Sequence, residues 1–244
     1  MAREKSAARL RRVSFLEIMG EDIRLRASDG HELGAYRSEP SEASERPRGG
    51  VIVLQEIFGV NAHIREVTDG FAADGYAAVA PALYDRSSVK NVSLAYTTED
   101  IARGRALREK FSWDDTVKDV EAAMNVLRSA GLKVGTVGYC WGGSISFLSA
   151  VRLPLDAAVV YYGGQILAYV QERERCPLLM HFGSRDGSIL ASDVEAIQNA
   201  HPEARVHVYD ADHGFNCDHR TEYDEAAATL SRERTLEFFA THLG

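Results

Sequence analysis

The chain has little cysteine: its 244 residues include only Cys140, Cys176 and Cys217. Three sulfurs without CxxC spacing leave one unpaired in any set of disulfides and do not suggest a zinc cluster. This scarcity excludes a disulfide-stapled secreted domain and favours a reducing compartment. We therefore expect the protein in the cytoplasm.

Long apolar runs are also missing. No run approaches the roughly 20 residues that a membrane-spanning helix needs, so we expect no membrane partner. The start of the chain is basic, but no small-residue cleavage site follows it, so it does not indicate a signal peptide. We predict that residues 1–12 are a flexible terminus and that residues 13–244 form a single domain.

Positive charge is in deficit. The chain has 28 Lys and Arg residues against 36 Asp and Glu residues, which gives a formal net charge of −8. Such a balance disfavours a broad phosphate-binding surface, so we expect no nucleic-acid partner. At the same time 45% of the residues are hydrophobic, which is enough for a sizeable folded core and too much for a disordered chain.

What the sequence does contain is an alternation of apolar runs and helical patterns. Short apolar runs occur at residues 51–54, 76–80, 134–137, 157–161, 178–182 and 206–209. Runs buried on both faces that alternate with helices are typical of a mostly parallel sheet in an α/β fold. Before them, two alternating segments flank Ser28-Asp29-Gly30, which predicts an N-terminal hairpin.

Two stretches have helical spacing. Residues 113–130 are predicted to form a helix that ends at Gly131. Its expected buried face comprises Val117, Val120, Met124 and Leu127. A last helix is predicted over residues 221–243. Its expected apolar residues are Tyr223, Ala227, Leu230, Leu236, Phe239 and Leu243.

One glycine-rich motif carries a candidate nucleophile. In GYCWGG, residues 138–143, Cys140 stands between an apolar strand and a helical pattern, as in the G-x-nucleophile-x-G turn of many hydrolases. The turn is sharp, so only hydrogen fits on either side of its central residue. Cys140 would then lie at a helix N-terminus, where free N–H groups favour a thiolate. The alternative is a buried structural cysteine in a glycine-rich turn.

A candidate acid and a candidate base follow this nucleophile in the order that such hydrolases use. Asp186 and His213 each come just after a predicted strand, where parallel sheets build their sites. His213 would exchange a proton with Cys140, and Asp186 would orient the imidazole. Asp210 and Asp212 compete with Asp186 for this role, although loop or capping roles suit them better.

Two charged residues follow earlier strands. Glu56 precedes Ile57, at the position where this arrangement supplies a loop N–H to an oxyanion hole. A carboxylate there would face Cys140; the alternative is a surface glutamate. Arg86 follows the next strand and could bind a substrate carboxylate or pair with a nearby acid.

The other histidines give no sign of a metal site. We expect them to be hydrogen-bonded or exposed, because they show no metal-ligand spacing: His181, His201, His207 and His219. Neither a metal nor a cofactor is expected.

Together these segments resemble the dienelactone hydrolase family (carboxymethylenebutenolidases) of α/β-hydrolases. The likeness rests on SDGHELGAY, QEIFGVNAHIRE, APALYDR, GYCWGG, HFGSRD, DADHGFNC and SRERTLEFF. It implies a single-domain α/β-hydrolase fold and a cofactor-free carboxylic ester hydrolase with Cys140, Asp186 and His213 as its triad.

The resemblance also implies roles for residues around the triad. Glu56 would accept the Cys140 proton when substrate arrives. N–H groups of Ile57 and Trp141 would hold the oxyanion. The implied substrate contacts are Arg86, Tyr84 and Phe58.

One departure from the family concerns substrate binding. Arg86 falls where family members bind the carboxylate of a dienelactone. Those members carry a second carboxylate-binding arginine four residues after the catalytic histidine, and here that place holds Cys217. Arg220 and His219 are the candidates to replace it. The leading substrate is 4-carboxymethylenebut-2-en-4-olide, hydrolysed to maleylacetate, and the alternative is a general carboxylesterase or lactonase.

Two further functions are possible in principle. A non-catalytic fold that binds a small ligand is disfavoured, because a binder has no need to keep Cys140, Asp186 and His213. A thiol redox role would need Cys176 or Cys217 beside Cys140, and nothing in the sequence brings these sulfurs together. The expected partner is a small lactone or ester, with monomer and dimer both open.

Overall fold

The computed structural model describes residues 20–41 and 46–244. The predicted flexible terminus at residues 1–12 lies outside the described residues, and the assignment of residues 13–244 to one domain stays a prediction. No helix in the described part of the chain is both long and apolar enough to cross a membrane. The cytoplasmic location also stays a prediction.

Residues 20–41 and 46–244 contain an eight-stranded sheet. Its strands are β1 (Glu21–Arg26), β2 (Glu32–Ser38), β3 (Gly50–Leu54), β4 (Ala77–Pro81), β5 (Val134–Tyr139), β6 (Ala157–Tyr161), β7 (Leu178–Gly183) and β8 (Arg205–Tyr209). They lie in the order β1-β2-β4-β3-β5-β6-β7-β8. β2 runs antiparallel to β1 and β4, and all other neighbours are parallel. The predicted hairpin and mostly parallel α/β fold are therefore confirmed.

In the part of the chain that the structure describes, six α-helices flank the sheet. They are α1 (Ala62–Ala73), α2 (Thr98–Arg108), α3 (Trp113–Ser129), α4 (Trp141–Arg152), α5 (Ala191–Ala200) and α6 (Glu225–His242). α3 begins where the Ser112 side chain accepts a hydrogen bond from the Asp115 N–H over 3.1 Å. It ends just before Gly131, whose φ of 76° suits a helix stop. The predicted apolar face of this helix is buried as expected.

The last strand differs from its prediction. The apolar run at residues 206–209 predicts burial on both faces, yet Val208 is 52% exposed. Among the described strands, β8 pairs with β7 alone, so it forms one edge of the sheet. The position of a strand within a sheet is not encoded in its own apolar run.

The last helix also differs from its prediction. α6 begins at Glu225 rather than near residue 221, because Asp224 caps it by accepting a hydrogen bond from the Ala227 N–H over 2.9 Å. Tyr223 and Leu230, two of the predicted apolar residues, are 40% and 41% exposed. The buried residues of α6 are Ala227, Ala228, Ser231, Thr235, Phe238 and Phe239.

Strand direction brings the candidate site together. The five strands from β3 to β7 are completely buried. Because parallel strands end at the same edge of the sheet, the segments after β3, β5, β7 and β8 meet there. These segments hold Glu56, Cys140, Asp186 and His213.

Candidate active site

Cys140 lies at the tip of a strained turn between β5 and α4. Its φ of 56° and ψ of −114° are rare for a residue with a side chain. The surrounding glycines make this turn possible. A Cβ on Gly138 would lie 1.9 Å from the Gly142 carbonyl oxygen, and a Cβ on Gly142 would lie 2.2 Å from the Leu54 carbonyl oxygen. The turn therefore presents a half-buried thiol at the N-cap position, directly before the first residue of α4.

His213 is held by a carboxylate from the neighbouring loop. Its Nδ1 lies 2.6 Å from Oδ2 of Asp186, whose side chain is fully buried. The other Asp186 oxygen accepts a hydrogen bond from the Ser188 N–H over 2.8 Å. Asp186 is thereby fixed on both oxygens, and it holds the imidazole in one orientation.

The two competing aspartates have other partners. Asp210 accepts a hydrogen bond from Arg185 over 2.9 Å. Asp212 accepts one from the main-chain N–H of His213 over 2.7 Å. Neither contacts the imidazole, so among the three carboxylates only Asp186 is placed to orient it.

The charge state of His213 depends on Cys140. Burial by itself lowers the pKa of His213, but the negative charge of the Cys140 sulfur and the hydrogen bond with Asp186 raise it to about 10. When Cys140 is a thiolate, the imidazole therefore carries two protons at neutral pH. An imidazolium beside a thiolate is the arrangement that attack by sulfur needs.

Two main-chain N–H groups at this edge of the sheet belong to the residues expected to hold an oxyanion, Trp141 and Ile57. Trp141 is the first residue of α4, so its N–H has no partner within the helix. Ile57 lies in the turn after β3. Among the residues 20–41 and 46–244, neither N–H donates a hydrogen bond to a side chain or to a carbonyl outside the regular elements. Both are free to stabilise negative charge on a carbonyl oxygen.

Aromatic side chains support these two amides. The Tyr84 ring stacks on Trp141 with a centroid distance of 5.3 Å, and its hydroxyl lies 3.0 Å from the Ile57 carbonyl oxygen. Burial raises the pKa of Tyr84, so the hydroxyl keeps its proton. Phe58 is buried edge-on against Tyr96, with a centroid distance of 4.5 Å. Tyr84 thus contacts both segments that carry the free N–H groups.

Glu56 is a buried carboxylate and not a surface residue. Only 1% of it is exposed. The Tyr96 hydroxyl donates to Glu56 Oε2 over 3.3 Å, and Arg220 Nη1 donates to Oε1 over 3.3 Å. The carboxylate is thus paired with one guanidinium and hydrogen-bonded by one hydroxyl.

Arg220 reaches the site although the predicted position for an arginine holds Cys217. The Arg220 side chain is 13% exposed, and its Nε also contacts Glu222 over 3.3 Å. Burial lowers the pKa of Arg220, but the negative charges of Glu56 and Glu222, with smaller effects from Tyr162 and Cys140, raise it overall. His219 instead contacts Glu66, 2.8 Å away. Of the two candidate replacements, the structure brings Arg220 to Glu56.

Arg86 does not join this group. Its Nε and Nη2 each lie 2.8 Å from an oxygen of Asp119, and its Nη1 lies 2.9 Å from Asp29. The Asp119 side chain is fully buried, which ties the guanidinium to helix α3. The sequence shows an arginine after a strand but not these acids, which lie on other elements. The structure thus favours pairing with an acid over binding of a substrate carboxylate.

Cys176 and Cys217 are enclosed, and His181 and His201 are hydrogen-bonded. Burial raises the pKa of Cys176 and of Cys217 to about 12, with nearby carboxylates adding to the effect, so both stay as unreactive thiols at neutral pH. The His181 ring contacts the Tyr209 hydroxyl over 2.8 Å, and His201 contacts Glu174 over 2.5 Å. A resolving role for either thiol gains no support.

Two aromatic residues of the site were missed in the sequence. Tyr96 donates to Glu56 from 40 positions away. Tyr162 has a φ of 39°, and its ring lies 5.1 Å from that of His213. Tyr96 carries no local signal, because it follows no strand and stands in no motif. Tyr162 directly follows β6, so the rule that sites lie at strand ends could have identified it.

Comparisons with known proteins agree with this geometry. Residues 33–243 match the model of the dienelactone hydrolase family. The carboxymethylenebutenolidase of Pseudomonas putida is 34% identical over 232 residues, which cover 91% of this chain and 97% of the relative. A crystal structure from Klebsiella pneumoniae, provisionally named a dienelactone hydrolase, superposes with a TM-score of 0.80 at 30% identity and covers 91% of this chain and 98% of its own.

Proposed function

The chain belongs to the dienelactone hydrolase family and is a hydrolase of ester or lactone bonds; from this premise we propose that Cys140, His213 and Asp186 act as its triad. The observation that carries the proposal is the 2.6 Å contact between His213 and Asp186, combined with the strained turn that presents Cys140. The proposed reaction uses no cofactor.

In the first half-reaction the Cys140 thiolate attacks the carbonyl carbon of the ester. The carbonyl oxygen gains the negative charge, and the N–H groups of Trp141 and Ile57 stabilise it. The intermediate collapses to a thioester as the C–O bond to the leaving oxygen breaks. His213 gives that oxygen its proton.

In the second half-reaction water takes the acyl group from the Cys140 sulfur. The now neutral His213 takes a proton from water, and the hydroxide attacks the thioester carbonyl. The C–S bond breaks, so that the carboxylic acid is released and Cys140 returns to its starting state. Asp186 stabilises the imidazolium in both halves.

Glu56 and Arg220 support a substrate that carries a carboxylate. Glu56 occupies Arg220 in the structure, over 3.3 Å. A substrate carboxylate that binds Arg220 would compete with Glu56, whose freed carboxylate could then accept the Cys140 proton and pass it to Nε2 of His213. This transfer gives the thiolate and the imidazolium with which the first half-reaction begins. Binding of an anionic substrate would thus raise the fraction of Cys140 that is present as the thiolate. This order of events favours an anionic substrate, 4-carboxymethylenebut-2-en-4-olide, which would be hydrolysed to maleylacetate.

A second candidate is a general carboxylesterase or lactonase. The observation that favours it is the pairing of Arg86 with Asp119 and Asp29. This pairing leaves Arg220 as the single proposed anchor for a carboxylate. Selectivity for anionic substrates would then be weaker than a pair of arginines could give.

The test is a comparison of substrates combined with trapping of the acyl-enzyme. We would measure kcat/KM for the dienelactone, for a neutral lactone and for a neutral aryl ester. Rapid acid quench followed by mass spectrometry should find one acyl group on the peptide that contains Cys140. A preference for the neutral compounds would select the second candidate. An enzyme that turns over ester without any acyl group on Cys140 would contradict the triad.

A further inference from the structure

Four potential metal ligands meet on the surface where α1 faces the loop after His213. They are His63, Glu66, Asp218 and His219, and one ligand atom from each lies within 4.8 Å of the others. His63 and Glu66 are three positions apart near the start of α1, so they share one face of the helix. Asp218 and His219 are adjacent in the facing loop. The spacing of His219 shows no motif because its partners lie about 150 positions earlier.

The contacts within this cluster already approach those of a coordination sphere. His219 Nε2 lies 2.8 Å from Glu66 Oε2 and 3.9 Å from Asp218 Oδ1. His63 Nδ1 lies 3.4 Å from the same Asp218 oxygen. Tetrahedral zinc, with bonds of about 2.0–2.2 Å, separates its ligand atoms by roughly 3.4 Å. Small side-chain rotations of the exposed Glu66 and His219 would bring the distances between the ligand atoms to the value for tetrahedral zinc.

His63 gives an independent indication that something binds here. Its side chain is only 4% exposed, and Nε2 is buried without a hydrogen-bond partner among the described residues. Nδ1 makes no hydrogen bond either, and faces the Asp218 carboxylate. Buried polar groups are nearly always paired. Nδ1 is the ring nitrogen on the side of the cluster, and it is enclosed, without a hydrogen bond among the described residues and 3.4 Å from Asp218 Oδ1, so it is well placed to receive a ligand.

The charge and chemistry of the cluster define that ligand. Two carboxylates and two neutral imidazoles carry a charge of −2 and offer two nitrogen and two oxygen atoms. This set suits zinc and similar divalent transition metals better than calcium or magnesium, which prefer oxygen alone. The neighbouring cations do not compete for the position, because Arg65 pairs with Asp22 and Arg232 pairs with Asp74.

We propose that His63, Glu66, Asp218 and His219 form a binding site for a divalent transition metal, with zinc as the best fit. The metal would join α1 to the loop that runs from His213 to Arg220. Its role would be to brace this loop. The proposal does not depend on the hydrolytic mechanism, because metal binding is measured without substrate.

The first measurement is zinc binding to the full chain. Protein without a polyhistidine tag is freed of metal with a chelator and titrated with zinc chloride by calorimetry. We expect one zinc per chain and a thermal midpoint that rises with zinc concentration. Cobalt in place of zinc should give the intense visible absorption of a tetrahedral site. Absence of binding would overturn the proposal, and the cluster would then be a set of ion pairs.

Variants locate the zinc. His219→Ala and Glu66→Gln change exposed side chains, so both variants should fold. Each should weaken zinc binding by about 100-fold or more, because a metal ligand contributes at least as much to affinity as the residues that orient the ligands. His207→Ala on β8 and Glu99→Gln on α2 are matched controls that should bind as the parent does. Unchanged affinity in the two cluster variants would overturn the proposal.

The active-site thiol needs its own control, because thiolates also bind zinc. Cys140→Ala should bind zinc with the parent's stoichiometry and affinity. Loss of the single binding event in Cys140→Ala would place the zinc at the thiol and overturn the proposal. Retention there, together with loss in His219→Ala and Glu66→Gln, would support it.

Discussion

Arg220 donates a hydrogen bond from Nη1 to Oε1 of Glu56 over 3.3 Å, although the two residues are 164 positions apart. Glu56 is almost fully buried, so the guanidinium neutralises a carboxylate that has little access to water. Because of this contact, any other group that binds Arg220 would release the Glu56 carboxylate from its ion pair. An anionic substrate and Glu56 would therefore compete for one cation, in the part of the site that also holds Cys140.

The nucleophile can be tested by its removal. Cys140→Ala should keep the fold and lose hydrolysis by a factor on the order of 10⁴ or more, because the proposed route passes through a thioester. His213→Ala should lose a similar factor. The double variant should be no worse than either single one, since members of a triad act as a unit. Steady-state kinetics on one lactone measure all three, and a tenth of the parent rate in Cys140→Ala would refute the assignment.

The charge coupling between Cys140 and His213 can be measured directly. The sulfur's negative charge contributes to the pKa of about 10 for His213. Cys140→Ala removes that charge, so the pKa of His213 should fall towards the ordinary value for histidine, near 6.5. The NMR signal of the His213 ring, followed from pH 5 to pH 11, reports the shift. An unchanged pKa in Cys140→Ala would show that the sulfur does not stabilise the imidazolium.

Tyr84 should affect catalysis through the position of the Ile57 loop. Its hydroxyl lies 3.0 Å from the Ile57 carbonyl oxygen and 3.1 Å from that of Gly104. Tyr84→Phe should lower kcat by about tenfold with little change in KM, because an oxyanion donor that shifts slightly loses part of its effect in the transition state. Tyr36→Phe, which also removes a hydroxyl contact but lies on β2, is the matched control. Equal kcat values in the two variants would argue against this role.

Arg86 should matter for stability. Arg86→Ala leaves Asp119 buried without its partner, which should cost about 3–5 kcal/mol in the free energy of unfolding. Burial raises the pKa of Asp119 to about 6, although Arg86 works in the opposite direction. Loss of Arg86 should raise this pKa further.

The sign of the pH dependence follows from that shift. A carboxyl whose pKa is raised by folding is least costly when protonated, so its contribution to stability is largest below its unfolded pKa near 3.9 and is lost as pH rises through the folded pKa. The deficit of Arg86→Ala should therefore be small near pH 4 and large near pH 8. Urea unfolding at both pH values measures it. In Asp119→Asn, the Arg86→Ala substitution should cost much less, and a deficit that shrinks with rising pH would contradict the assignment.

The sequence predicts the site residues that directly follow a strand of the parallel sheet. Cys140, Asp186 and His213 each follow an apolar run, and parallel strands bring such segments to one edge whatever their order in the sheet. Arg86 also follows a strand, yet its side chain is held by two carboxylates, Asp29 in the hairpin turn and Asp119 on α3. Partners from distant elements cannot be identified without the tertiary structure.

The exposed side of β8 illustrates the same limit in the fold. The run at residues 206–209 resembles the runs of the buried strands, yet Val208 faces solvent because β8 is the edge strand. Strand order is a property of the whole sheet. Likewise, Arg220 reaches Glu56 because the loop after His213 makes successive turns, and no spacing rule predicts where such a loop directs a side chain.

Arg220 provides the decisive test of substrate. Arg220→Gln leaves Glu56 without its charge partner, which should slow every substrate by a common factor. If Arg220 also binds a substrate carboxylate, the variant should lose a further 2–5 kcal/mol, about 30-fold or more, in kcat/KM for the dienelactone alone. The ratio of kcat/KM for the dienelactone to that for a neutral aryl ester isolates this effect, because the common factor cancels. Arg86→Ala is the matched control, and its ratio should equal that of the parent. If the ratio also stays constant in Arg220→Gln, the guanidinium serves Glu56 alone, and a general esterase or lactonase becomes the better description of the enzyme.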